Sequence, residues 1–132
     1  MISYLLPTVR LIRPLNIWIT FCAVLLGGWL ALLQLQPEMF VASLSAALIA
    51  AAGYIQNDLI DIAADRVSHP HRPLPRRELP PSFARALSTF GYAGGIVLSS
   101  ILPRSCLLAA IGITLTLTLY NLYLKRLPLA GN

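Results

Sequence analysis

Charged residues leave four long gaps in this chain. Pro14 to Pro37 contains no Asp, Glu, Lys or Arg, and neither do Met39 to Asn57, Ala86 to Pro103 or Ser105 to Leu124. Each run approaches the roughly 20 residues that an α-helix needs to cross the hydrocarbon core. The pattern predicts four membrane helices, near residues 15–35, 39–63, 83–102 and 105–124. A secretory signal peptide is the competing reading of the first run. That run is long for a signal core, and no small-x-small exit precedes Pro37. The fourth run alternates Thr and Leu from Thr114 to Leu119, which in water would suggest a strand. Inside a charge-free run of this length the Thr hydroxyls bond back to the helix, so it is read as helical.

The four runs differ in kind. The first is rich in Leu, Ile, Ala and Gly, with Trp18 placed as an interfacial anchor. The second is full of small residues from Ala42 to Gly53, which let membrane helices pack backbone to backbone, so it is expected at the centre of a bundle. The third carries Gly91, Gly94 and Gly95, the signature of another close contact. Between the second and third, Val67 to Ser82 is polar and punctuated by Pro70, Pro73, Pro75, Pro80 and Pro81. Proline ends helices and restricts the residue before it, so this segment is read as a loop that stays near the membrane.

Composition fixes the class. Apolar residues make up 57% of the chain and charged residues 11%, too apolar for an ordinary soluble domain of 132 residues. The reading is one all-α domain over residues 1–132, a polytopic membrane helix bundle. The net charge of +5 then concerns sidedness before nucleic acid, and no nucleic-acid partner is expected. Arg10, Arg13, Arg66, Arg72, Arg76, Arg77, Arg85, Lys125 and Arg126 all fall on one side of a four-span topology, and Arg104 alone on the other. That is the positive-inside pattern, so this face and both termini are expected to be cytoplasmic, with Arg76 and Arg77 near anionic lipid head groups. Cys22 and Cys106 each stand alone in an apolar run and read as small packing residues.

The chemistry concentrates at the end of the second run. With Asn57 at zero on a helical wheel of about 100° per residue, Asp61 falls near 40°, Asp65 near 80° and Asp58 near 100°. All four then share one face of roughly a quarter turn. Acids at membrane depth are costly and face a bundle interior or a watery cavity. Three so close repel one another unless a cation intervenes. Asn57, Asp61 and Asp65 stack oxygen ligands one turn apart, which suits Mg²⁺ completed by water and substrate phosphate. Arg66, Arg72, Arg76 and Arg77 follow at once, then Lys125 and Arg126, and acids with Mg²⁺ and nearby cations are what a diphosphate needs. The bland alternative is a solvated cap whose arginines serve topology alone. His69 and His71 flank Pro70 with no third zinc-type ligand near, so they read as loop residues, and Tyr54 reads as packing.

The run Asn57-Asp58-x-x-Asp61-x-x-x-Asp65, followed by Pro70-x-Arg72-Pro73-Leu74, resembles the first aspartate-rich motif of the UbiA prenyltransferase superfamily. Arg13-Pro14-x-Asn16 resembles that family's approach to its first helix. Tyr120-Asn121-x-x-Leu124-Lys125-Arg126 resembles its fourth-helix exit, and Gly131-Asn132 the start of its next segment. The resemblance covers essentially the whole chain. It implies a nine-helix membrane fold around a central cavity, of which four helices are expected here. It implies Mg²⁺-assisted departure of diphosphate from a polyprenyl donor and alkylation of an aromatic or hydroxyl acceptor. By position, Asn57, Asp61 and Asp65 would bind Mg²⁺-diphosphate, with Asp58 part of the catalytic motif. Arg72, Lys125 and Arg13 would contact phosphate, and Asn16 and Tyr120 would line the cavity.

The family carries a second aspartate-rich motif in its carboxyl-terminal half, and here no Asp follows Asp65. The expectation is an incomplete domain, inactive alone, whose partner is a missing carboxyl-terminal half. The flanking motifs look most like the branch that attaches geranylgeranyl to geranylgeranylglyceryl phosphate. Acceptors of quinone synthesis, 4-hydroxybenzoate or a naphthoate, are the alternative. A transporter would place an acid at mid-membrane, and none lies there. A non-catalytic or split subunit is the remaining reading of another class.

Overall fold

The computed structural model describes residues 4–123 and residue 125. Six helices follow one another: α1 (Leu5–Ile12), α2 (Pro14–Leu32), α3 (Pro37–Ile60), α4 (Ile62–Ser68), α5 (Pro81–Ser100) and α6 (Arg104–Leu122). The four long ones, α2, α3, α5 and α6, correspond to the four charge-free runs. Among the described residues, α2, α3 and α6 are long and apolar enough to cross a membrane. α5 has 20 residues, about 30 Å at the usual helical rise, but begins with polar residues and carries Arg85.

Proline starts three of these helices. Pro14, Pro37 and Pro81 occupy first-turn positions, where a missing N–H costs nothing. The first of them follows a sharp junction. Arg13 has φ 58 and ψ 66, a left-handed conformation that both ends α1 and starts α2. α1 was not expected from the hydrophobic pattern. It buries Pro7 and Leu11 and leaves Leu5, Leu6 and Val9 exposed, as an interfacial helix does.

α3 is the hub, packed against α1, α2, α5 and α6. The small-residue expectation holds in detail at its antiparallel crossing with α5. Ser45 Oγ donates to the Gly95 carbonyl oxygen at 2.8 Å and lies 2.7 Å from Ser99 Oγ, and Ser88 Oγ donates to the Ala52 carbonyl at 2.9 Å. A methyl group added at Gly95 would lie 2.5 Å from Ile49 Cγ1, and one at Gly91 would lie 3.0 Å from Ala52 Cβ. Gly94 meets only Leu48 Cδ1, at 3.6 Å, so two of the three glycines make the close approach.

Two features correct the sequence reading. The second helix, expected to run unbroken to residue 63, breaks at Asp61 (φ −89, ψ 4) into α3 and α4. The proline-rich segment 69–80 is also more than a solvated loop. Leu74 and Leu79 are buried with Leu11, Ile55 and Ala84, pinning it beneath α1 and against the starts of α4 and α5. That apolar cluster holds the cation-bearing loop at the end of α3 where the acids stand.

Candidate functional site

The hydrogen-bond register survives the break at Asp61. The N–H of Asp61 donates to the Asn57 carbonyl at 3.0 Å, that of Asp65 to Asp61 at 2.8 Å, and that of His69 to Asp65 at 2.9 Å. The side chains, however, part company. Instead of one quarter-turn face they form two groups.

The inner group is Asp58 and Asp65, 2% and 4% exposed. Arg13 Nη2 donates to Asp58 Oδ1 at 2.5 Å, and Arg72 Nη1 reaches the same oxygen at 3.4 Å. Arg72 Nη1 also donates to Asp65 Oδ2 at 2.6 Å, while His69 Nδ1 lies 3.2 Å from Asp65 Oδ1. Both oxygens of Asp65 are therefore engaged within the protein. A buried acid paired this way is costly to strip of one partner, about 3–5 kcal/mol, because the charge left behind has no solvent.

The outer group is Asn57 and Asp61. Lys125 Nζ donates to Asn57 Oδ1 at 3.0 Å and to Asp61 Oδ2. Beside it lies a cleft of about 350 Å³ lined by Arg13, Ala50, Gly53, Tyr54, Asn57, Leu117, Tyr120 and Asn121. Arg13 belongs to both groups, since it lines the cleft and pairs with Asp58. Its guanidinium sits 5.3 Å from the Tyr54 ring centroid, a cation–π contact, so Tyr54 does more than fill space. Tyr120 lines the cleft wall, and Asn16 is not among its lining residues.

A second, apolar furrow of about 360 Å³ continues deeper, sharing Ala50 and Leu117 with the cleft. α2 contributes Thr20 and Val24, α3 Ala42, Ala46 and Ile49, and α6 Cys106, Ala109 and Ile113. Among the described residues α2 and α6 do not touch, so the furrow lies between them with α3 as its floor. A polar mouth over a long apolar trough suits an amphiphile with an anionic head.

Mg²⁺ fits the outer group better than the inner one. Asn57 and Asp61 already converge two hard oxygens on one cation, the Lys125 ammonium. Among the described residues no cluster of three His, Cys, Asp or Glu is placed to hold a metal. The chain thus offers a carboxylate and an amide oxygen, a partial shell of the kind Mg²⁺ completes with water and phosphate.

Sequence reasoning missed one polar centre. Gln56 Oε1 accepts from Tyr92 Oη at 3.0 Å and from Asn121 Nδ2 at 3.1 Å, tying α3 to both α5 and α6. Its signal was available, as a lone Gln at the end of an apolar run. The readings placed on Arg126, Gly131 and Asn132 lie outside the described residues.

Helices of this length and apolarity, with an acid–cation site beside an apolar furrow, define an integral membrane protein. The UbiA prenyltransferase family profile matches residues 16–132, and the chain belongs to that family. It is 33% identical over 124 residues to the digeranylgeranylglyceryl phosphate synthase of Methanoculleus marisnigri, covering 94% of this chain and 44% of that protein. It is 32% identical over 123 residues to the protein of the same name from Methanopyrus kandleri, covering 93% and 45%. Another of that name, from Sulfurisphaera tokodaii, is 39% identical over 95 residues, covering 72% and 34%. The chain thus spans less than half the length of these relatives. No solved structure matches it.

Proposed function

We propose that this chain forms the first part of a Mg²⁺-dependent intramembrane prenyltransferase that moves geranylgeranyl from its diphosphate to geranylgeranylglyceryl phosphate. The observation that carries the reading is the apolar furrow between α2 and α6, open at one end to a cleft bearing Arg13 and Asn57. Family membership and the shared name of the relatives favour this acceptor over an aromatic acid.

In this reading four helices span the membrane and belong to a nine-helix bundle. The basic end, with both termini and the 69–80 segment, is cytoplasmic. Asn57 and Asp61 would hold the metal, which when bound neutralises the diphosphate and eases its departure. Lys125 and Arg13 take phosphate oxygens, and Asp65 and Arg72 stay paired in the adjoining rim. The furrow sheathes the prenyl chain and keeps water from the allylic carbon. The carbon–oxygen bond to diphosphate breaks with its electron pair leaving on the diphosphate. The acceptor hydroxyl oxygen bonds that carbon and releases its proton to water. A further segment carrying the second acidic motif closes the cavity, so the 132-residue chain alone does not turn over.

The test is transfer of labelled geranylgeranyl diphosphate in membranes containing this chain joined to the remaining length of a relative. Geranylgeranylglyceryl phosphate and 4-hydroxybenzoate compete as acceptors, with Mg²⁺ or EDTA. Ether-lipid product that EDTA abolishes is expected. Preferred labelling of 4-hydroxybenzoate would move the reading to quinone synthesis, and turnover by the 132-residue chain alone would remove the need for a second segment.

A further inference from the structure

Asp58 stands in the middle of the acidic motif yet contributes nothing to its outer pair. It is 2% exposed, and the oxygen it offers is taken by Arg13 at 2.5 Å and approached by Arg72 at 3.4 Å. Arg13 is the more telling partner. It occupies the left-handed junction between α1 and α2, lies against the Tyr54 ring and lines the cleft beside Asn57. A guanidinium carries five N–H donors in a rigid fork, so pairing with Asp58 leaves donors for a second anion. A long cationic side chain free at the membrane surface would otherwise extend into water.

We propose that Asp58 is a positioning residue and not a metal ligand. It holds the Arg13 guanidinium at the mouth of the cleft, ready for a diphosphate oxygen. Through Arg72, which it approaches at 3.4 Å, the same carboxylate shares with Asp65, at 2.6 Å, in tethering the 69–80 segment to the end of α3. Asp58 and Tyr54 fix Arg13 before any ligand arrives, so its ordering is not charged to the binding step. This rests on the diphosphate reading above, and it divides the motif by role: Asn57 and Asp61 serve the metal, while Asp58 serves Arg13, which meets phosphate.

The experiment uses the 132-residue chain in lipid nanodiscs, with pyrophosphate binding measured by calorimetry across a Mg²⁺ series. Asp58→Asn is expected to weaken pyrophosphate binding by about five- to tenfold, the effect of ordering one rotamer-rich side chain during binding. It should leave the half-saturating Mg²⁺ concentration, read at saturating pyrophosphate, unchanged. Asp61→Asn is expected to raise that concentration. Trypsin cleavage at Arg77 should quicken modestly in Asp58→Asn, since Asp65 still holds Arg72, and stay unchanged in Asp61→Asn, a readout of the tether that needs no ligand. Should Asp58→Asn not accumulate, Arg13→Gln is expected to weaken pyrophosphate binding at least as much, at unchanged Mg²⁺ half-saturation. A shift in Mg²⁺ half-saturation in Asp58→Asn as large as in Asp61→Asn would make Asp58 a ligand and overturn the proposal. So would unchanged pyrophosphate affinity in Asp58→Asn. If Asp61→Asn binds pyrophosphate and Mg²⁺ like the parent chain, the diphosphate reading itself fails.

Discussion

The α3–α5 crossing can be tested with one methyl group. In Gly95→Ala the new Cβ would fall 2.5 Å from Ile49 Cγ1, 3.1 Å from Ile49 Cδ1 and 3.0 Å from the Ser45 carbonyl oxygen. Neither neighbour can yield easily. Ile49 is 3% exposed, and a β-branched side chain in a helix has one strongly preferred χ1. The Ser45 oxygen is backbone and moves only if α3 moves. The two helices must therefore separate, stretching the contacts of Ser45 with Gly95 and Ser99 and of Ser88 with Ala52.

Overpacking of this kind costs about 1–3 kcal/mol. Interhelical hydrogen bonds in membranes average about 0.6 kcal/mol each, so weakening two or three adds about another 1 kcal/mol. Ala gains up to about 1 kcal/mol over Gly in a helix, which offsets part of the loss. The net is a destabilisation of about 1–3 kcal/mol. Gly94→Ala, which meets only Leu48 Cδ1 at 3.6 Å, and Gly112→Ala, which meets nothing within 4 Å, are the internal controls. They keep the propensity gain without the clash and should be neutral or slightly stabilised. The assay is SDS titration of the micellar protein, followed by the fluorescence of Trp18 and Trp29 on α2. If Gly95→Ala unfolds at the same SDS fraction as Gly94→Ala, the two helices do not approach closely enough at Gly95 to exclude a methyl group.

Two further outcomes bear on the interior and the furrow. Gln56→Leu removes the acceptor shared by Tyr92 and Asn121, and stranding those donors should cost about 1–3 kcal/mol in the same titration, whereas Gln56→Glu, which keeps an acceptor, should cost less. Cys106 lines the furrow and Cys22 does not, so geranylgeranyl diphosphate with Mg²⁺ should slow maleimide labelling of Cys106 several-fold and leave Cys22 unchanged. Equal protection of the two would place the prenyl chain elsewhere.

What the sequence revealed divides along a physical line. Long helices were legible because crossing hydrocarbon demands charge-free runs, and four such runs are plain. The central place of α3 was legible from its small residues, because close backbone packing needs them. α1 was not, since the eight residues between Tyr4 and Arg13 carry Arg10 and are too few to cross hydrocarbon, so they form no charge-free run. Arg13 in a left-handed conformation gives no sequence signal, as that geometry is ordinarily glycine's. The wheel brought the four motif residues to one face but could not say which way each would turn. That depends on where the 69–80 segment folds back, and Leu74 and Leu79 decide it by packing against Leu11, Ile55 and Ala84. Contacts so distant along the chain leave no periodic trace.

The charge balance at the motif gives the proposed function a reason to need a metal even though cations surround the site. Asp58 and Asp65 face Arg13 and Arg72, and Asp61 faces Lys125. Acids and cations in direct contact with the motif thus match one for one. A polyanion entering the cleft meets no surplus positive charge there; Arg13 and Lys125 still have N–H donors to offer it, but their charge is balanced by carboxylates. Arg66 and Arg85 are exposed and have no ion-pair partner among the described residues; such charges on the water-facing surface are screened within roughly a Debye length of 8–10 Å. Diphosphate can be held firmly only if it brings its own positive charge, and Asn57 and Asp61 are the pair with oxygens turned to receive it. Under the proposed function Mg²⁺ and diphosphate would bind as a unit, each raising the other's affinity by the same factor, as linkage requires.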